Sequence, residues 1–295
     1  MNGFYNNMGI SFNSIQNINS INPIRQNIGF RGVTNPQDSF QSTMTPEMIV
    51  RKKFDALFPN GEINKIYDQI NKDFKIDNPA ELSFVYDETS QLGGGFTFNK
   101  NQIEMNIYDL MHYDKKIVGI KDGKKYPIIS PKEKIPLFVD MQTGKQFLDI
   151  QTKQGNLGFD KLVMEDVTPK EHRKFIIQKI AHECVHAKQH QILRETEGIG
   201  DKEIIKAWTH AKPKNLAEEK SLDDYAEKRL QNSPWAKVPP AEIKHKKGSP
   251  TYQKAMILLD AIRNYPPVDS PLYTQNPLER EAFEMSALYV RNIMV

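Results

Sequence analysis

The spacing of apolar positions changes twice along the chain. In "TPEMIVRKKFDALF" (45–58), Val50, Phe54 and Leu57 share one helical face, with Thr45 suited to the N-cap and Pro46 to the first helical position. Ile63, Ile66, Tyr67, Ile70 and Phe74 then recur at i, i+3, i+4, i+7 and i+11, which predicts a second helix. From residue 82 the period falls to two. "LSFVYD" (82–87) reads as a strand, and in "FTFNKNQIEMNIYDLM" Ile103, Met105 and Ile107 alternate with polar residues. Two hairpins are expected next. One turns at Asp122-Gly123 between "IVGI" and "YPII", the other at Thr143-Gly144 between "PLFVDM" and "QFLDI". The glycines at 93–95 have no Gly-Lys-Ser/Thr after them, so they read as a flexible lead into a strand and not as a phosphate loop.

At Thr168 the helical period returns. "TPKE" (168–171) combines an N-cap Thr, a Pro at the first helical position and a Glu three residues after the cap, and Gly198 suits the helix end. Further helices are expected near 201–212, 215–231, 251–263 and 277–293, with Pro-rich stretches at 234–240 and 265–271. Helices, then strands, then helices predict an α+β domain over 45–295. An antiparallel or mixed sheet would pack on the helix that starts at 168, followed by a mainly helical C-terminal part. Residues 1–44, rich in Asn, Ser, Ile and Gly and without an acid before Asp38, hold neither period and are expected to be a disordered leader.

Composition narrows the function classes. The net charge of +3 is too small to argue for nucleic acid, and the basic runs "KDGKK" (121–125) and "KHKK" (244–247) read as solvated loops. No apolar run approaches the length of a membrane span. Cys184 is the sole cysteine, so no internal disulfide can form. With no ordinary signal-peptide pattern, this favours a cytoplasmic setting, a leaderless export route staying open.

The chemistry gathers in "HECVH" (182–186). Residues four apart on a helix differ by about 40° and about 6 Å, so His182 and His186 can converge on one zinc ion. Glu183, about 100° round from His182, stays off the metal and can serve as a general base beside it. His190 lies about 12 Å from His182 along the axis. It cannot join the same site and is expected to be exposed or at a cleft edge. The longer pattern HExxHxxGxxH is absent, since position 189 is Gln and 192 is Ile. Cys184, about 200° from His182, is expected to be a buried thiol. A third ligand must come from elsewhere. "YTQNPLEREAFEMSALYV" (273–290) offers Glu279 and Glu281, although a Glu three residues after Asn276 also suits a capping box. Glu195, Glu197, Glu203, Glu218 and Glu219 compete for the place.

"HECVHAKQH" followed late by "NPLEREAF" resembles the zincin metallopeptidases on their gluzincin-like branch. It is similar to bacterial metallopeptidase-like domains that pair HExxHxxQ with a P-x-E-x-E-A helix. The resemblance implies a zincin-like fold with a helical insert at about 199–272, one zinc ion, and a peptide or protein substrate. It implies His182 and His186 as ligands, Glu183 as base and a late-helix glutamate as third ligand. Glu279 is preferred because Ala282 stands three residues on, where Glu281 has Glu284. It also implies a strand at the sheet edge that pairs with substrate, for which 101–109 is suited, and a transition-state donor, Tyr273, with His210 and His245 as alternatives. Gln189 matches the Gln of HExxHxxQ and is a cleft-lining candidate. Phe283 departs from the group, many of whose members have Asp four residues after the ligating Glu. An inactive zincin-like binding or regulatory module stabilised by zinc is the alternative function.

Overall fold

The computed structural model describes residues 44–90, 93–131, 134–141, 143–238 and 240–293. The leader expected over 1–44 lies outside the described residues except for Met44. Helix α1 (Pro46–Leu57) begins where the Thr45 hydroxyl accepts from the Met48 amide at 3.3 Å. Helix α2 (Glu62–Phe74) turns Ile63, Tyr67 and Ile70 inward, as their spacing predicts.

Strands β1 (Glu81–Val85), β2 (Gly94–Thr97) and β3 (Gln102–Asn106) form one sheet in the order β1-β3-β2. β1 runs parallel to β3, and β2 runs antiparallel to it. The strand expected at the edge, within 101–109, is therefore the centre of this sheet, and β1 and β2 are its edges. It also stops early. The Asn106 side chain accepts from the Tyr108 amide at 3.1 Å and opens α3 (Ile107–Met111).

A second, separate sheet is built on β4 (Lys115–Lys121), where one sheet had been expected. The hairpin to β5 (Lys124–Pro127) turns at Asp122 and Gly123, with φ of 50° and 72°, the left-handed pair that such a turn requires. The other expected hairpin does not form. β6 (Phe138–Val139) is a two-residue strand, and "QFLDI" is helical within α4 (Lys145–Gln151). Phe147 and Ile150, three apart, both pack on Ile117, Val139 and Leu162, a fit that helical spacing gives and alternation does not. After α5 (Gln154–Leu157), β7 (Lys161–Asp166) pairs antiparallel along β4, a strand the sequence pattern had not indicated.

Helix α6 (Pro169–Arg194) opens with the expected capping box at Thr168 and Glu171. It ends at Arg194, and Gly198, with φ of 77°, lies in the turn beyond. Helices α7 (Asp201–Trp208), α8 (Leu216–Gln231), α9 (Pro250–Arg263) and α10 (Pro277–Ile293) complete the chain. α6 is shared by two apolar clusters. Phe175, Ile176, Ile180 and Cys184 face α1, α2 and β3, whereas Ile192 and Leu193 face α7 and α9. Fully burying an Ile or Phe side chain is worth about 1.5–3 kcal/mol, so this helix is anchored along its length. α10 packs on α6 and α9, with Leu278 in one cluster and Tyr289 and Val290 in the other. The architecture is α+β with open sheets. Among the described residues no helix is long and apolar enough to cross a membrane.

Candidate metal centre

His182 and His186 stand one turn apart on α6, and their Nε2 atoms are 3.2 Å from each other. Glu279, in the first turn of α10, reaches them across the helix pair. Its Oε2 is 3.3 Å from His182 Nε2, and its Oε1 is 3.3 Å from His186 Nε2. A tetrahedral ion with bonds of about 2.0–2.1 Å sets neighbouring ligands about 3.3–3.4 Å apart. The two imidazole nitrogens stand at the separation such an ion requires, each has one of the two Glu279 oxygens at the same range, and one ligand atom from each residue can be chosen so that all lie within 4.8 Å of one another. Glu279 is 1% exposed, and its Oε2 has no hydrogen-bond partner among the described residues. A buried carboxylate oxygen left unpaired beside two imidazoles fits a cation. Cys184 is fully buried and contributes nothing to this group, as expected.

The ligands are held by partners of their own. His186 Nδ1 donates to Gln189 Oε1 at 2.9 Å. The Gln189 amide is oriented from its other end, where Nε2 donates to Leu278 O and Glu281 Oε2, each at 3.0 Å. Two acceptors on that side fix the oxygen toward His186, and the imidazole then turns the lone pair of Nε2 to the site. The Tyr265 hydroxyl donates to Glu279 Oε1. His182 packs on Phe283, ring centroids 4.6 Å apart.

Charge is balanced within the group. Burial pushes the Glu279 carboxyl up, but His186 and His182 more than reverse this and hold it far below the ordinary carboxylate range. Burial alone would lower His186, and Glu279 raises it instead, to about 9. Burial pushes the phenols of Tyr265 and Tyr273 up, and the Glu279 carboxylate adds to this, so both stay protonated donors.

No family model, curated protein or solved structure matches the chain. The chemistry is therefore read from these side chains alone. Glu183 borders the same cavity, of about 120 Å³, and its Oε2 accepts from the Phe96 amide of β2 at 2.8 Å. Tyr273 borders it as well.

Several expected residues lie elsewhere. Glu281 is not in the ligand group: it takes the Gln189 amide and pairs with Lys254, which makes it a support of the site. Glu195 pairs with Lys244 at 2.9 Å, Glu197 accepts from the Lys247 amide, Glu203 caps α7, and Glu218 accepts from the Lys214 amide near the start of α8. Neither these nor Glu219 joins the group. His210 bonds the Arg263 carbonyl at 3.0 Å and His245 sits 3.5 Å from Glu195, so neither is a donor at this cavity. His190, expected at the surface or cleft edge, is only 6% exposed. Its ring is 4.0 Å from Phe98 and 5.1 Å from Trp235, because the segment 199–272 folds over this end of α6. Tyr265 was not anticipated. It lies 14 residues before Glu279, across Pro266 and Pro267, with no periodic pattern to link the two.

Proposed function

We propose that the protein is a zinc-dependent metallopeptidase of zincin type. One observation carries the reading: His182 and His186 Nε2 are 3.2 Å apart and each lies 3.3 Å from an oxygen of the Glu279 carboxylate, with Glu183 on the same cavity wall. Zinc held there would supply a Lewis acid toward a carbonyl oxygen and acidify a water to a pKa of about 7. Glu183 is the proton acceptor. The Phe96 amide steadies its Oε2 and leaves Oε1 for the proton. Tyr273, kept protonated by burial, is the donor to the developing oxyanion. Gln189 and Tyr265 keep His186 and Glu279 in place. The edge strand β2 brings Gly94, Gly95 and Phe96 to the cavity, where an extended peptide backbone can run alongside it.

Elemental analysis of the purified chain should give one zinc per molecule. A broad peptide library should be cleaved, and chelation should stop the cleavage. Glu183→Gln should keep its zinc and lose activity by about 100-fold or more. Undiminished cleavage by that variant rejects the assignment.

A second reading, a zinc-stabilised binding module, is favoured by one observation: the carboxylate of Glu183 is already engaged by the Phe96 amide. Lower thermal stability on chelation, with no cleavage under any condition, selects it over the enzyme.

A further inference from the structure

Two buried polar atoms of cavity-lining residues have no hydrogen-bond partner among the described residues, Glu279 Oε2 and His190 Nε2. The first belongs to the ligand group. The second has no part in the chemistry proposed above. His190 follows His186 by four residues, so it sits about 6 Å further along the same side of α6. Its ring is wedged between Phe98 and Trp235, and the wedge is itself fixed, because Trp235 Nε1 donates to the Phe98 carbonyl at 2.7 Å. Other polar side chains on the wall are committed: Glu183 to the Phe96 amide, Gln189 to His186, Tyr265 to Glu279. Burial, with Arg194 nearby, holds His190 well below its ordinary range, so the ring is neutral.

The same cavity wall includes the apolar side chains of Phe98, Leu193, Ile262 and Leu278. The cavity, which also takes in the ligand group, measures about 120 Å³, so a side chain admitted beside His190 is no larger than a single ring, given the ~150 Å³ that holds benzene in an engineered core. We propose that His190 is a specificity-determining residue that hydrogen-bonds the hydroxyl of a tyrosine side chain in the substrate. The proposal rests on the reading of this cavity as a peptide site. A hydroxyl suits either imidazole tautomer, since it both donates and accepts. Phenylalanine would fill the same walls and leave Nε2 unpaired, and a buried polar atom left unpaired discriminates by roughly tenfold or more. Distance agrees as well. Residues of an extended peptide rise about 3.3 Å each, so a side chain next to a carbonyl at the ligand group can reach a nitrogen about 6 Å along the helix.

The test uses the full chain carrying Glu183→Gln, supplied with zinc, so that bound peptides survive. The probes are alanine-based hexapeptides with a single Tyr or Phe moved through each position, and calorimetry reads binding. At one position the Tyr peptide should bind about tenfold tighter than its Phe twin. His190→Leu should level that pair with zinc content unchanged, and His190→Gln, which retains a hydrogen-bonding end, should keep the preference. Equal binding of Tyr and Phe at every position overturns the proposal. So does a failure of all peptides to bind, or a preference that survives in folded His190→Leu. If the leucine variant does not fold, the Tyr–Phe comparison with His190 present and the glutamine variant decide. Hydrolysis by the unaltered chain is scored separately. A protein that prefers Tyr and cleaves nothing rejects the enzyme reading and keeps this one.

Discussion

His186 owes its orientation to one amide. Gln189 accepts its Nδ1 proton and is held in turn by the Leu278 carbonyl and Glu281. Removing such a partner typically weakens metal affinity by about 10–100-fold. Gln189→Ala should therefore bind zinc 10–100-fold more weakly, as measured by competition with a chromogenic chelator, and Tyr265→Phe should shift the same way by losing the donor to Glu279. Affinities within twofold of the unaltered chain would remove both from the site. The ligand pair on α6 was legible in the sequence because four residues on a helix fix a geometry. The supports were not. Gln189 shows its role only once α10 brings Leu278 and Glu281 to it, and Tyr265 only once the segment before α10 folds back on Glu279. His190 borders the cavity, but its burial was not legible, for a related reason. Helix geometry excluded it from the ligand group correctly, but its burial depends on Phe98 and Trp235, which are distant in sequence.

Helix α3 delivers an acid into the packing beneath the start of β2. A Cβ added at Gly93 would lie 2.5 Å from Asp109 Oδ2. Burial, with Asp140 adding to it, pushes Asp109 up to about 6, against the pull of Lys179 and His112. The folded value exceeds the unfolded one of about 3.9. The stability this carboxyl contributes is thus complete below pH ~4 and is lost as pH rises through about 6. The gap corresponds to at most ~3 kcal/mol, and partial solvent screening reduces it to ~1 kcal/mol. Asp109→Asn should be the more stable protein at pH 7.5 by that smaller amount and equal to the unaltered chain near pH 4, by urea midpoints. A pH-independent difference would refute the burial argument. At this scale the sequence was legible where a local signal decided the structure, as at the Thr168 capping box and the Asp122-Gly123 turn. It was illegible where packing decided. "QFLDI" fits either period until Ile117 and Val139 are in place, and the position of β3 between β1 and β2 depends on a non-local pairing.

At the scale of the molecule, α6 and α10 are the two helices among the described residues that enter both main apolar clusters, and the candidate ligand group bridges them. Glu279 follows His186 by 93 residues. The sequence offered it as one carboxylate among several, and only the packing of α10 on α6 separates it from Glu281. An ion at this bridge would bind the folded chain and find no such site when the helices part. Its contribution to stability then follows from mass action: free zinc at 1,000 times Kd adds about 4 kcal/mol. For a domain of this size each kcal/mol moves Tm by about 2–4 °C, so zinc-loaded protein should melt roughly 8–16 °C above protein stripped with a chelator. The shift should vanish in Glu279→Ala, where one side of the bridge is missing, and persist in Glu183→Gln, whose carboxylate binds no ion. Scanning calorimetry of the three proteins with and without zinc measures this directly. Equal melting of stripped and loaded protein would show that the two helices are held by their apolar faces alone.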